Sequence, residues 1–253
     1  MKDQTSSLKY LADFHSHTTA STHAYSTITE YAKYASEIGL KYFAMTNHGP
    51  KMPDGPHHYH FVNLKMVPRE LFGVRVLKGI EANIIDSEGN LDLPKDSIDF
   101  LEFILFTFHP KCGYEDQGED KNTETMIKAM DKNKVSAVAH PENGSFVVNP
   151  RKIVEALVKR DILLEVNNSS YISRPGREES ILEFLYWARK LKARISLGSD
   201  AHFHQMLGDF EYSLGLCKKA EIDFANVINF DEKLIKKYIF KNATGPEPTF
   251  GKR

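Results

Sequence analysis

The chain of 253 residues has only two cysteines, Cys112 and Cys217, too few for a disulfide framework. Its stability must come from a hydrophobic core, which 41% apolar residues can supply, and this cysteine usage points to a reducing, cytoplasmic compartment. Charge of one sign is missing too: 33 Lys and Arg against 34 Asp and Glu leave a formal charge of −1. No basic excess is available for a long nucleic-acid backbone. A membrane span is absent as well, since the longest apolar run, FLEFILFTF at 100–108, is broken by Glu102 and falls far short of the ~20 residues a spanning helix needs. The opening MKDQTSSLKY has no apolar signal region. No Gly/Ser/Pro-rich linker divides the chain, and no glycine-rich phosphate loop follows the first strand-like run. What the chain does have in quantity is histidine, eleven residues.

Short β-branched or aromatic runs alternate with longer segments of helical period. The runs at 10–14, 41–46, 74–82, 99–108, 135–139, 162–167 and 194–199 read as seven strands. Amphipathic stretches at 27–39, 123–132, 150–160 and 177–192 read as helices, the first capped by Thr27 or Thr29 and ended by Gly39, the third opened by Pro150. The segment 49–70, rich in proline and histidine, predicts an ordered loop and then a short helix around 61–70. A turn or small hairpin is expected at 86–92 and a solvated charged loop at 115–122. Phe184, Tyr186 and Trp187 fall at core-like helical spacing and read as packing. Alternating strands and helices imply a parallel sheet, and the short connections favour a single-domain α/β barrel of (β/α)7 type.

Polar residues fall at the ends of those strands. His15 and His17 follow the first, His48 the second, and Glu81 lies near the end of the third. His109 follows the fourth, His140 the fifth, Asn167 and Asn168 close the sixth, and Asp200 and His202 follow the seventh. In a parallel barrel those ends converge on one mouth, where such folds place their active sites. His15 and His17, two apart on extended backbone, point to the same side. Imidazole and carboxylate together suit zinc, manganese or iron, and so many donors exceed what one four-coordinate ion can use.

The motifs DFHSHT (13–18), STHAYST (21–27), TNHGP (46–50), GIEAN (79–83), FHP (108–110), AHPEN (139–143), EVNNSS (165–170) and GSDAH (198–202) resemble the PHP superfamily, the polymerase and histidinol phosphatase domain, and within it the YcdX-type phosphatases. The likeness runs over about 11–215, within a single domain spanning 1–253 whose helical C-terminal remainder packs on the barrel. It implies a distorted, TIM-like (β/α)7 barrel with three divalent ions, zinc in the first place and manganese or iron as alternatives. Position by position, it implies that His15, His17, Glu81 and Asp200 hold one ion. Glu81 bridges to a second completed by His109 and His140, and His23, His48 and His202 hold the third. Two positions depart from the family pattern, Asn47 where aspartate is common and Glu142 where glycine is. Asn47 should face away from His48 and act on a supporting hydrogen bond. Glu142 adds negative charge near the mouth and bears on substrate choice.

Three dications carry roughly six positive charges, so the expected substrate is a small anionic phosphomonoester attacked by a metal-bridging hydroxide. Glu81 and Asp200 would be the catalytic carboxylates, Asp200 orienting the nucleophile. Arg174 and Arg177 are candidate phosphate partners, and His57 and His58 candidate substrate contacts on a lid formed by 55–61. The competing readings are a phosphodiesterase or nuclease of the same superfamily, and a metal-binding regulatory domain without catalysis.

Overall fold

The computed structural model describes residues 9–239. Its strands are β1 (Ala12–Asp13), β2 (Tyr42–Met45), β3 (Glu70–Leu71), β4 (Val74–Asn83), β5 (Phe103–Thr107), β6 (Ala137–Val138), β7 (Leu163–Asn167) and β8 (Ile195–Gly198). Seven of them pair in parallel in the order β1-β2-β4-β5-β6-β7-β8, while β3 is a short antiparallel partner of β4. Every expected strand is present. The helices α1 (Ile28–Glu37), α2 (His58–Asn63), α3 (Glu119–Lys132), α4 (Pro150–Arg160), α5 (Ser170–Ser173), α6 (Glu178–Leu191), α7 (Glu211–Lys219) and α8 (Glu232–Ile239) complete an α/β barrel.

The two ends of the sheet, β1 and β8, meet at a seam closed by other means than a full ladder. A single parallel bridge joins Ser16 to Ala201 at the mouth. Lower down the buried Asn229 side chain takes the place of backbone: it accepts from Leu197 N at 2.8 Å and donates to Ala12 O and Leu197 O at 2.9 Å. One amide thereby satisfies three backbone groups that the missing ladder would orphan. The barrel is nearly closed, and distorted at this seam.

Inside the barrel, Ala12, Phe14, Tyr42, Ala44, Leu77, Phe103, Leu105, Ala137 and Leu163 pack as one buried cluster. Ile235, Tyr238 and Ile239 of α8 join it, so the C-terminal helix caps the apolar floor. A second, larger cluster lies between the sheet and the helices, with Ile80, Ile104, Val138 and Ile195 from the strands and Ile153, Leu157, Phe184 and Leu185 from α4 and α6. Alternate residues of each strand thus serve the two layers.

Local rules account for the helix ends. Thr27 and Glu30 form a reciprocal capping box on α1, Gly39 adopts φ +77° just beyond it, and Asn149 caps α4 ahead of Pro150. Three expectations need correction. The helix foreseen around 61–70 lies earlier, as α2 with a 3₁₀ turn at Leu64–Met66, because Glu70 and Leu71 pair with β4 instead. The charged stretch 115–122 is only half loop: α3 begins at Glu119, with Glu119 and Asp120 at the electropositive helix start. Tyr186 is 43% exposed with Lys190 over its ring, whereas Phe184 is buried as expected.

Candidate metal centre

The polar strand ends converge. His15 Nε2 lies 3.0 Å from His17 Nε2 and 3.5 Å from both Glu81 Oε2 and Asp200 Oδ1. His17 Nε2 is 3.1 Å from Asp200 Oδ1. On the other side of Glu81, Oε1 is 2.8 Å from His140 Nε2 and 3.6 Å from His109 Nε2. The ring of His48 stacks at 4.3 Å on His17, His202 at 4.5 Å on His17, and His23 at 4.7 Å on His202. All nine expected ligands stand in one connected group, with His23 at its more exposed rim.

The donor set fits a cation. Donors on a tetrahedron with arms of about 2.0–2.2 Å stand about 3.3–3.6 Å apart, the spacing of the His15–Glu81, His15–Asp200 and His109–Glu81 contacts. Glu81 Oε2 is 2.8 Å from His48 Nδ1, 3.5 Å from His15 Nε2 and 3.6 Å from His17 Nε2, yet it makes no hydrogen bond, and neither does His48 Nδ1. Buried polar atoms facing one another without bonding mark a missing central partner. Three triads bring their ligand atoms within 4.8 Å: His15, His17 and Glu81; His48, Glu81 and His109; His17, His48 and His202. Glu81 belongs to two of them.

Supporting groups fix which imidazole nitrogen is bare. Glu165 Oε1 lies 2.6 Å from His15 Nδ1, so that nitrogen donates and Nε2 keeps its lone pair for the cluster. Asn83 donates its Nδ2 to Asp92, which makes its Oδ1 the acceptor for His109 Nδ1 at 2.7 Å. His202 Nδ1 donates to the Asp200 carbonyl at 2.9 Å, and His23 Nδ1 makes a very short bond to Asp54. Asp13 accepts from the backbone of His15, Ser199 and Gly208, tying β1 to β8 below the ligands. None of Glu165, Asn83, Asp92, Asp54 and Asp13 is foreseen from the sequence. Glu165 had a signal: it lies two residues before Asn167, hence on the same inward face, and is a charge inside the apolar run ILLEVN.

Two of the candidate ligands sit on strained backbone, His140 at φ +29° and Asp200 at φ +54°. Such left-handed conformations cost non-glycine residues roughly 1–2 kcal/mol and concentrate at functional sites.

Electrostatics point the same way. Burial pushes the Glu81 carboxyl up, but His15, His109 and His48 outweigh it and hold it well below the usual carboxylate range. Asp200 is likewise held low, against its burial, by His15, His17 and His202. Burial favours neutral His15, yet Glu165, Asp200 and Glu81 raise it well above its ordinary value. His17 goes the other way, lowered by burial and by His48 and His202. Three carboxylates thus draw on one imidazole for positive charge, a deficit that dications would fill.

The centre lies in a cavity of about 330 Å³ walled by five of the histidines with Glu81, Asp200 and Arg174. A hollow of about 540 Å³ between Tyr171 and Tyr212 is roomier but contains none of the clustered ligands. Arg174 is drawn to the centre, its Nη2 3.4 Å from Asp200 Oδ2. Arg177 lies beside the mouth, its Nε donating to Glu142 O. The rings of His57 and His58 touch at a tilt, centroids 4.1 Å apart, at the start of α2, exposed and outside the cavity wall. The neighbour that does reach the site's support is His60, whose Nε2 is 3.2 Å from Asn47 Nδ2. Asn47 faces away from the ligands: its Oδ1 accepts from Thr18 N, Thr18 Oγ1 and Ser21 Oγ, pinning the loop before His23.

A family model described as "PHP domain" matches residues 13–234. The chain belongs to the PHP family. A "Probable phosphatase" of Acetivibrio thermocellus is 40% identical over 232 residues, covering 92% of this chain and 96% of that protein. The "Probable phosphatase YcdX" of Escherichia coli K12 is 35% identical over 242 residues, covering 95% and 98%. Among solved structures, histidinol phosphate phosphatase from Lactococcus lactis, complexed with zinc, L-histidinol and phosphate, is similar in fold with a TM-score of 0.59 at 16% identity, covering 86% of this chain and 95% of that one. A chain of archaeal ribonuclease P matches with a TM-score of 0.52 at 13% identity, covering 96% and 99%. The barrel is therefore shared by proteins of different tasks, and the site must carry the functional argument.

Proposed function

We propose that this PHP protein hydrolyses a small phosphomonoester at a centre of three divalent ions, zinc before manganese or iron. The observation that carries the reading is Glu81, buried between two groups of imidazoles with one oxygen toward each. That arrangement suits a bridging carboxylate. His15, His17 and Asp200 would share one ion with Glu81, His109 and His140 a second, and His23, His48 and His202 the third. Mixed imidazole and carboxylate donors suit zinc, and the Lactococcus structure of similar fold holds that metal. When bound, the metals supply hydroxide at neutral pH and offset phosphate charge.

The chain's own residues do the rest. Arg174 faces the centre with a guanidinium that matches two phosphate oxygens. Asp200 Oδ2, held at 3.1 Å by Asn167 Nδ2, is placed to orient the attacking water, and its depressed pKa keeps it a carboxylate. The cavity of about 330 Å³ sits at the small end of ligand sites, which favours a compact ester over a polymer. Both cysteines are buried free thiols, in keeping with a reducing compartment, and among the described residues no helix is long and apolar enough to cross a membrane. The single-domain reading of 1–253 is supported over the described residues, which form one barrel whose floor is capped by α8, while 1–8 and 240–253 lie outside them.

The test is to count bound metals by mass spectrometry and to assay an aryl phosphomonoester, an aryl phosphodiester and a phosphosugar panel before and after chelation. Two or more ions with chelator-sensitive monoesterase activity support the reading. Turnover of the diester alone would move it to the phosphodiesterase class, and bound metal without turnover to a regulatory domain.

A further inference from the structure

Glu142 is a buried carboxylate beside Arg174, which lines the cavity, and a negative charge so close to a site proposed to take an anion should repel substrate. Its partners explain its presence. Glu142 Oε1 accepts from Ser170 Oγ at 2.5 Å and lies 3.5 Å from Arg174 Nε. Ser170 Oγ in turn accepts from Arg174 Nε at 3.2 Å. The Nε side of the guanidinium is therefore bracketed, and its terminal edge is turned toward the centre, with Nη2 3.4 Å from Asp200 Oδ2. Arg177 steadies the same segment: its Nε donates to Glu142 O at 2.9 Å, and its side chain passes over Gly144 where any Cβ would meet it. Without the bracket, Asp200, which already meets Nη2 at 3.4 Å, would be the nearest of the carboxylates left to attract Arg174, ahead of Glu165 and Glu81, and would draw the guanidinium further onto a candidate metal ligand and away from substrate.

Resting on the phosphoester reading above, we propose that Glu142 and Ser170 are positioning residues that hold Arg174 by its Nε side, with its terminal edge facing the centre, where it can exchange its contact with Asp200 for a phosphate. Glu142 acts through Arg174 and touches no substrate. It sets affinity for the phosphoryl group, not the rate of the bond-breaking step.

The test uses the metal-loaded full chain and two probes, an aryl phosphomonoester for kinetics and inorganic phosphate for binding by calorimetry. Glu142→Gln should raise KM and the phosphate Kd by about three- to tenfold, with kcat within about twofold and metal content unchanged. In an Arg174→Met background the same substitution should change nothing, because the group it positions is gone. Ser170→Ala gives the same pattern more weakly and stands in if Glu142→Gln folds poorly. A phosphate Kd that stays at the wild-type value in both variants, a loss confined to kcat, or an equal shift in the Arg174→Met background would overturn the proposal. A metal-loaded wild type that neither binds phosphate nor turns over the ester would instead bring down the phosphoester reading, and this proposal with it.

Discussion

Glu165→Gln is the substitution that most directly tests how the centre is built. Glu165 is 3% exposed; Oε1 accepts from His15 Nδ1 at 2.6 Å, while Oε2 accepts from His140 N at 3.0 Å. Glutamine keeps the shape but has one acceptor and one donor end. With its oxygen toward His15, its NH₂ meets the His140 N–H, and a buried donor is left unsatisfied at about 1–3 kcal/mol. Turned the other way, the NH₂ faces His15 Nδ1 and selects the tautomer protonated on Nε2, the nitrogen turned toward Glu81 and Asp200. That tautomer cannot ligate. Either orientation removes the charge that raises the basicity of His15, and losing such a partner weakens metal binding by roughly 10–100-fold, about 1.4–2.7 kcal/mol. The assay is competition for zinc against a chelator of known affinity, with bound metal counted at each step. Zinc affinity within twofold of wild type would refute the argument that a carboxylate on Nδ1 fixes the ligand nitrogen of His15.

Three further outcomes follow from the same geometry. Gly198→Ala would place a Cβ 2.3 Å from Glu165 Oε1 and 2.6 Å from His15 Cβ, so metal content should drop, while Gly215→Ala, with open space around it, should leave it unchanged. Asn229→Leu orphans three backbone groups at the barrel seam; at about 1–3 kcal/mol each and ~2–4 °C per kcal/mol for a chain of this size, the melting temperature should fall by at least ~6 °C in thermal denaturation. In metal-free protein, burial lowers His109 to about 3, so as pH falls below 6.5 the unfolded chain takes up a proton that the folded one refuses and stability declines across that window. His17, also lowered by burial, adds to this, while Glu81 and Asp200, held low, add acid lability only below their ordinary values of 4.5 and 3.8. Asp13, raised to about 6 by burial, works oppositely between 3.8 and 6, and His15 and His48, raised against their burial by carboxylate partners, complete their gain above 6.5 as pH falls. Melting curves of chelated protein should therefore shift downward from pH 7 to pH 5, and a melting temperature constant over that range would contradict the assignment.

Much of the centre was legible because a parallel barrel brings all strand C-termini to one edge. Once the runs around Ala12, Tyr42, Val74, Phe103, Ala137, Leu163 and Ile195 are read as strands, each following histidine or acid has a defined place. The family motifs then divide those residues among ions. The floor was less visible: that Ile235 and Tyr238 enter the barrel core, or that Asn229 closes the seam, depends on contacts between segments more than 180 residues apart.

The sequence by itself determined the order of the seven parallel strands, a threonine cap at the start of the first helix and eight of the nine candidate ligands, because each rests on local period or on position at a strand end, while His23 came from the family resemblance. Only the tertiary structure decided which nitrogen of each histidine faces the centre, and that Arg174 is held by Glu142 while His57 and His58 stay outside the cavity. Those choices belong to pairs far apart in the chain, as with His15 and Glu165 at a separation of 150 residues. No local pattern encodes such a pair; it exists only when the barrel closes and brings buried charged groups within reach of one another.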